Sequence, residues 1–260
     1  GQNLEMQHLS ELRRCFKRFA SVDLQLSAKK TELFKRRIDF LSHTITPEGI
    51  RPCKSKCESI AALPPLSTRK IAMSYRGAVG YYRRSCKKLS DLMAPITEAI
   101  NCSPYIRTRR IDTAQAAINT LLTSDGTLLA HPDQSKIFIL ATDASKVGLG
   151  ASLSQYETLP SGQRGRLRVC EYYSRRLTKS EQLYPAGQLE VLCGLAACEH
   201  WRHYLFYSPF CWITDAENTR HILASKSSRV QRWAIRLSCY RFIVVHRAGK
   251  DLQGPDTLSR

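Results

Sequence analysis

The sequence predicts an α/β protein: a mixed five-stranded sheet with flanking helices, preceded by a mainly helical segment. Three observations carry this. Short apolar runs of strand length recur in the second half, at 137–141, 169–173, 210–214 and 242–245. Stretches with apolar residues three and four apart separate the later runs. Before residue 135 the pattern is instead helical, broken by prolines and glycines, with no strand-rich block.

Taken in order, residues 8–20 place Leu9, Leu12, Phe16 and Phe19 on one helical face, and Leu24 and Leu26 alternate like a strand. Ile38, Phe40 and Leu41 read as a further strand, closed by a turn at Pro47, Glu48 and Gly49. After Pro64 and Pro65 a long helical stretch follows, and residues 111–123 form another helix. Ile137 to Ala141 make a short buried strand ending at Thr142-Asp143. Gly148 and Gly150 turn into a second strand, and Val169 to Tyr173 form a third. Lys179 to Leu205 read as one long helix with Leu189, Leu192, Leu195 and Ala196 on its apolar face. Phe210 to Thr214 form a fourth strand ending at Asp215. Helical patterns follow around His221 and Trp233, and Phe242 to Val245 form the fifth strand. The order β-β-β-α-β-α-β-α is that of a mixed α/β domain.

A formal net charge of +18 over 260 residues opposes compaction by self-repulsion and points to a polyanionic partner, above all nucleic acid. The basic residues concentrate in 69–110, where the only acids are Asp91 and Glu98. Arg76, Arg83, Arg84, Lys87 and Lys88 interleave there with Tyr81 and Tyr82, a mixture suited to phosphate contact plus packing on sugars or bases. A solvated basic face over a tyrosine-rich core explains the same residues equally well. No apolar run approaches the roughly 18 residues of a membrane span, and no signal peptide is visible, so an intracellular, non-secreted location with no membrane partner is expected. The ten cysteines include no CxxC pair, and Cys53 and Cys57 lack a second pair with a nearby histidine. Free thiols are expected, with Cys193, Cys198 and Cys239 as core fillers. Trp201, Trp212 and Trp233 also read as core, and His203 as a packing residue rather than a ligand. Gly1 in place of an initiating methionine suggests a fragment.

Four acids stand out. Asp143 and Asp215 each follow a buried strand, where α/β folds place their sites. Glu190 lies beside the apolar face of the long helix, and Asp256 opens a short C-terminal helix after Pro255. Converging carboxylates are what two-metal phosphodiester hydrolysis needs, and oxygen ligands suit two Mg²⁺ (or Mn²⁺) ions. Any one of these acids alone is more simply a turn residue, a cap or a solvated face; the shared plan of strands and helices is what joins them. Ser145 has no readable His and Asp pair beside it and is not a nucleophile candidate.

The run "TDAS" at 142–145, then "GLGASLSQ" at 148–155, "YYSRRLTKSEQLYPAGQLEVL", "WRHYL", "WITD" and the closing "GKDLQGPDTLSR" resemble the RNase H domain of Gypsy-type LTR retrotransposon Pol proteins. Upstream, "FLSHTITPEGI" and "GAVGYYRR" resemble that family's thumb, and "MAPIT" and "LLAHPD" its linker. The resemblance runs from about Leu4 to Arg260. It implies the end of a reverse transcriptase palm at 1–43, thumb and linker at 44–134, and an RNase H-like domain at 135–260. The family's four metal ligands then fall on Asp143, Glu190, Asp215 and Asp256. Where two glutamates two residues apart are usual, this chain has Gln188 and Glu190.

The chain departs from the family at Ala216, where a histidine is common, at Ser42 in place of a glycine, at Arg107 in place of a tryptophan, and at Pro255 in place of a small residue. These departures suggest a divergent or decaying copy. The polymerase turn Tyr-x-Asp-Asp is absent; the resemblance puts it a dozen or so residues before His8, just off the N-terminus, so DNA synthesis is not expected. The expected activity is hydrolysis of the RNA strand of an RNA–DNA hybrid. The expected partners are the hybrid, the missing N-terminal polymerase portion of the same Pol protein and, left open, a second copy of the chain. The alternatives are an inactive nucleic-acid-binding remnant and a genomic fragment never made as a stable protein.

Overall fold

The computed structural model describes residues 2–87, 89–124, 127–215 and 227–246. It divides into two compact units, Gly1–Arg36 and Arg37–Arg260. The first holds helix α1 (Gln2–Ala20) and a single 3₁₀ turn (Ala28–Lys30), with His8 edge-on to Phe34 at 4.9 Å. Leu24 and Leu26, expected in a strand, are irregular and exposed: their alternation has no pairing strand and no core to face.

The second unit opens with a three-stranded antiparallel sheet, β1 (Ile38–Phe40), β2 (His43–Thr46) and β3 (Gly49–Pro52). Leu41 and Ser42 between β1 and β2 both have positive φ, 47° and 61°. That explains why glycine suits position 42, since a Cβ is strained there. The helical segment follows as α2 (Lys54–Ala61), α3 (Arg69–Gly80), a 3₁₀ turn (Arg83–Ser85), α4 (Leu89–Leu92), α5 (Ala94–Asn101) and α6 (Arg109–Thr123). The long helical stretch expected after Pro64 and Pro65 is thus made of several helices. Their apolar faces are short, and each turns inward onto a core that includes Leu66, Tyr75, Val79, Ile96, Ile111 and Ile118. Thr68 caps α3 through the Ile71 amide, and Tyr75 ties α3 to α6 by donating to Asn119 Oδ1 at 2.8 Å.

The mixed sheet is built from β4 (Phe138–Ala144), β5 (Gly148–Thr158), β6 (Arg164–Arg176), β7 (Phe210–Thr214) and β8 (Phe242–His246), in the order β6-β5-β4-β7-β8. β4–β5 and β5–β6 are antiparallel, β4–β7 and β7–β8 parallel. Helices α7 (Ala186–His200), α8 (Arg202–Leu205) and α9 (Ser228–Leu237) join it. The core between sheet and helices includes Phe138, Leu140, Cys193, Trp201, Trp212 and Trp233. The fold class and the five-strand count are as expected; three boundaries differ. β6 is longer than Val169–Tyr173, because ladder pairing to β5 carries the charged residues Arg164, Arg166 and Arg168 into the strand. The expected helix at 179–205 begins only at Ala186, since Pro185 biases Tyr184 to extended backbone, and it breaks again at Trp201. The helical pattern around His221 lies outside the described residues.

All ten cysteines are free thiols. Cys193 and Cys198 are core residues, but Cys239 is exposed just past α9, on the solvent side of the chain. The helical segment and the sheet belong to one compact unit. Ala130 donates to Val169 on β6 at 2.7 Å, Leu129 bridges Ile50 of β3, and Ser90 donates to Ser174 on β6 in a buried contact at 2.9 Å. No described helix is long and apolar enough to cross a membrane.

Candidate active site

Asp143 and Asp215 come together because their strands are neighbours. In the parallel pair β4–β7, Ile139 faces Cys211 and Ala141 faces Ile213. Two residues further on, the same register puts Asp143 beside Asp215 at the carboxyl ends of both strands. Both residues are exposed. His246 at the end of β8 donates from Nε2 to the Asp215 carbonyl at 2.8 Å, which fixes the end of β7. Trp212 Nε1 donates to Thr142 Oγ1 at 2.9 Å and ties the two strands one residue below the acids.

Glu190 reaches the same place from above. It sits in the second turn of α7 and is buried, with a relative exposure of 7%. The Ala144 amide donates to Glu190 Oε1 at 3.0 Å, which aims the carboxylate at the end of β4. Glu190 Oε2 is buried with no hydrogen-bond partner. Burial pushes the Glu190 carboxyl up to about 8. The Ala144 amide works against that rise, and the negative charges of Asp215 and Asp143 add to it. A buried carboxyl oxygen without a donor, beside two further acids, is not a structural ion pair, and oxygens of this kind could hold a hard divalent cation.

What holds Glu190 at this depth is a glycine that sequence reasoning passed over. A Cβ on Gly194 would lie 1.8 Å from Trp212 Cζ2, so α7 crosses β7 at a distance only glycine allows. Its signal was available: a glycine inside an otherwise apolar helix lowers helix propensity and needs a packing reason. Beside it Cys193 donates from Sγ to the Gly150 carbonyl at 3.2 Å.

Asp256 and Ala216 lie outside the described residues. Among the described residues, no group of three or more His, Cys, Asp or Glu side chains is already closed around an ion position. Asp143, Glu190 and Asp215 are therefore electrostatic neighbours rather than a ready-made cage.

The basic and aromatic residues divide differently from the expectation. Tyr82 is buried and donates to the Ser42 carbonyl at 3.2 Å, so its ring is core and not free to stack on a base; the helical turn that carries it faces inward. Tyr81 is exposed, with its hydroxyl donating to the Leu41 carbonyl at 2.6 Å. Arg84 is tied to Glu171 on β6, Nε to Oε1, at 3.3 Å, and His200 approaches the same carboxylate oxygen at 3.3 Å. Arg83 and Lys87 are exposed, Arg76 is half-buried, and Lys88 lies outside the described residues. His203 packs against Tyr204 at 4.0 Å between ring centroids.

The strand order and the mixed pairing of the sheet are those of an RNase H-like fold, and residues 133–240 match the RNase H-like domain found in reverse transcriptase. Over 258 residues, 98% of the chain, the sequence is 32% identical to the retrovirus-related Pol polyprotein from transposon 297 of Drosophila melanogaster, covering 23% of that protein. It is 27% identical over 265 residues to the transposon Tf2-3 polyprotein of Schizosaccharomyces pombe, covering 19% of it. The chain is thus similar to retrotransposon Pol polyproteins and spans less than a quarter of the length of these relatives. A foamy viral protease-reverse transcriptase in complex with double-stranded DNA has the same fold, with a TM-score of 0.76 at 17% identity over 93% of this chain and 43% of that one. The same viral protein in complex with RNA/DNA hybrid gives 0.74 at 18% identity over 94% and 33%.

Proposed function

We propose that this chain hydrolyses the RNA strand of RNA–DNA hybrids. The observation that carries the proposal is Glu190 Oε2: buried, unpartnered, and beside the charges of Asp143 and Asp215. Asp143, Glu190, Asp215 and Asp256 would hold two Mg²⁺ or Mn²⁺ ions, with Asp256 assigned on family resemblance. Such ions supply Lewis acidity at the scissile phosphate and charge compensation at the leaving 3′ oxygen. The protein's own part is positional. The Ala144 amide orients Glu190, the β4–β7 register sets Asp143 beside Asp215, and Gly194 lets the helix approach. The exposed bases Arg83 and Lys87, with Arg76 and Lys88, are proposed to grip the phosphate backbone, and Tyr81 to pack on it. The upstream polymerase portion of a Pol protein is the proposed chain partner, and the cell interior the proposed location.

A second reading, a binding remnant without catalysis, draws on the absence of a closed three-ligand group among the described residues. One experiment separates the two: cleavage of a labelled hybrid with Mg²⁺ or Mn²⁺ by wild type and Asp143→Asn at equal occupancy. The neutral amide is a poor partner for a hard dication, so the variant is expected to bind hybrid and lose at least about a hundredfold in rate. Equal residual rates would favour the remnant.

A further inference from the structure

Arg229 lies in the first turn of α9 and is half-buried, yet both groups that hold its guanidinium are neutral. It covers the Tyr184 ring at 4.0 Å, and its Nη1 donates to the Gln188 amide oxygen at 3.0 Å. Among the described residues no carboxylate pairs with it. The half-buried arginines of β6 show the contrast. Arg168 faces Glu157 at 2.6 Å, Arg175 faces Glu181 at 2.8 Å, and Arg176 faces Glu98 at 2.7 Å. A cation withdrawn from water ordinarily brings its counter-ion with it.

The rest of α9 extends this charge. Arg232 and Arg236 follow at spacings of three and four, so the three guanidinium groups share one side of a helix that contains no acid. Arg236 pairs with Glu199 in the open. Arg232 is exposed and has no ion pair among the described residues. Gln188 sets the charge of the place. It stands in the first turn of α7, two residues before Glu190. At about 100° per residue those two side chains leave the helix on nearly opposite sides. A carboxylate at 188 would form a charge-assisted pair with Arg229 and cancel it, whereas the amide orients the guanidinium and leaves its charge uncompensated.

We propose that Arg229 and Arg232 form a phosphate-binding pair that grips the nucleic-acid backbone on the flank of α7 away from the acids, with Gln188 orienting Arg229. The planar guanidinium fork suits phosphate oxygens, and an oriented one loses less freedom on binding. The choice of an RNA–DNA hybrid as ligand rests on the proposed function, but the grip itself uses none of the four acids.

The test is fluorescence anisotropy of a labelled RNA–DNA hybrid with the full chain, over a range of salt and in EDTA so that no cleavage occurs. Arg229→Ala is expected to weaken binding roughly tenfold, the loss of one hydrogen bond to a charged group. It should also lower the log–log salt slope by about 0.9, one phosphate contact on a duplex. Arg232→Ala should lower the slope by a similar step. It leaves the Tyr184 contact in place, so it reports even if thermal unfolding shows Arg229→Ala to be unfolded. Gln188→Glu should mimic Arg229→Ala, and adding it to Arg229→Ala should cost little more, because both act on one guanidinium. With Mg²⁺, Arg229→Ala should raise KM for cleavage and leave kcat unchanged. Wild-type affinity and slope in both arginine variants would overturn the proposal and leave the hydrolytic reading standing. A fully additive effect of Gln188→Glu on Arg229→Ala would overturn it as well. A lowered slope in a chain that never cuts hybrid would uphold the grip and sink the hydrolysis.

Discussion

Glu181 and Glu190 stand on either side of Pro185, both largely withdrawn from solvent, and they live in opposite electrostatic worlds. Glu181 gives both oxygens to the Arg175 fork and accepts the Thr178 amide at 2.8 Å; these contacts, Arg175 foremost, hold its carboxyl down at about 2. Glu190 has one amide donor and an orphaned oxygen, and burial drives its carboxyl up to about 8. The difference separates a carboxylate that stabilises the fold from one that the fold carries at a cost. A satisfied buried charge is architecture, whereas an unsatisfied one next to like charges marks a place made for something else.

The comparison breaks most severely at Gly194. Gly194→Ala puts a methyl into the Trp212 ring, so α7 must lift from β7 and carry Glu190 with it. A loss of about 3 kcal/mol or more is expected in urea unfolding, because a ring locked in the core cannot yield as a flexible side chain would. The Glu181 side should feel little of this; a variant as stable as wild type would mean that α7 does not sit at glycine-limited distance.

Glu181→Gln sharpens the contrast. A carboxyl held at about 2 instead of the ordinary 4.5 corresponds to about 3 kcal/mol. The folded value is the lower one, so this stability is present above the unfolded value of 4.5 and is lost as pH falls toward about 2. Wild type should exceed the variant at pH 7, and the two should converge near pH 2. A gap that does not change with pH would rule out the ion pair as its source.

Glu190→Gln has the smallest expected effect on stability, and of opposite sign. It removes a carboxyl that burial holds protonated up to about pH 8, against 4.5 when exposed, and keeps the shape, although the amide nitrogen in place of Oε2 inherits the missing partner. The expected gain in EDTA is about 1 kcal/mol, a melting temperature higher by a few degrees. Mg²⁺ should stabilise wild type by preferential binding to the folded state and leave the variant unmoved. A variant that melts below wild type in EDTA would contradict the cost assigned to the charge.

Much of the chain was legible before any coordinates. Strand runs such as 137–141 and 210–214 announced themselves because a buried strand is near-continuously apolar, and Asp143 and Asp215 were visible as acids just past them. Tyr82 was not: in sequence it is an aromatic among arginines, and only the inward turn of its helix makes it core. Arg84 likewise reads as a free base until Glu171, 87 positions away, is folded against it. Leu24 and Leu26 mislead in the other direction, since alternation predicts a strand only where a partner strand exists.

By itself, then, the sequence determined the five strand runs of the second half, the α/β class and which acids are worth watching, because these depend on local periodicity and on residue chemistry. Tertiary structure alone decided that Asp143 and Asp215 are neighbours, that Glu190 Oε2 has no donor, and that Gly194 is the reason the helix can come so close. Those depend on register and on packing distance, where an ångström changes the outcome, and neither is written in any local stretch of the chain.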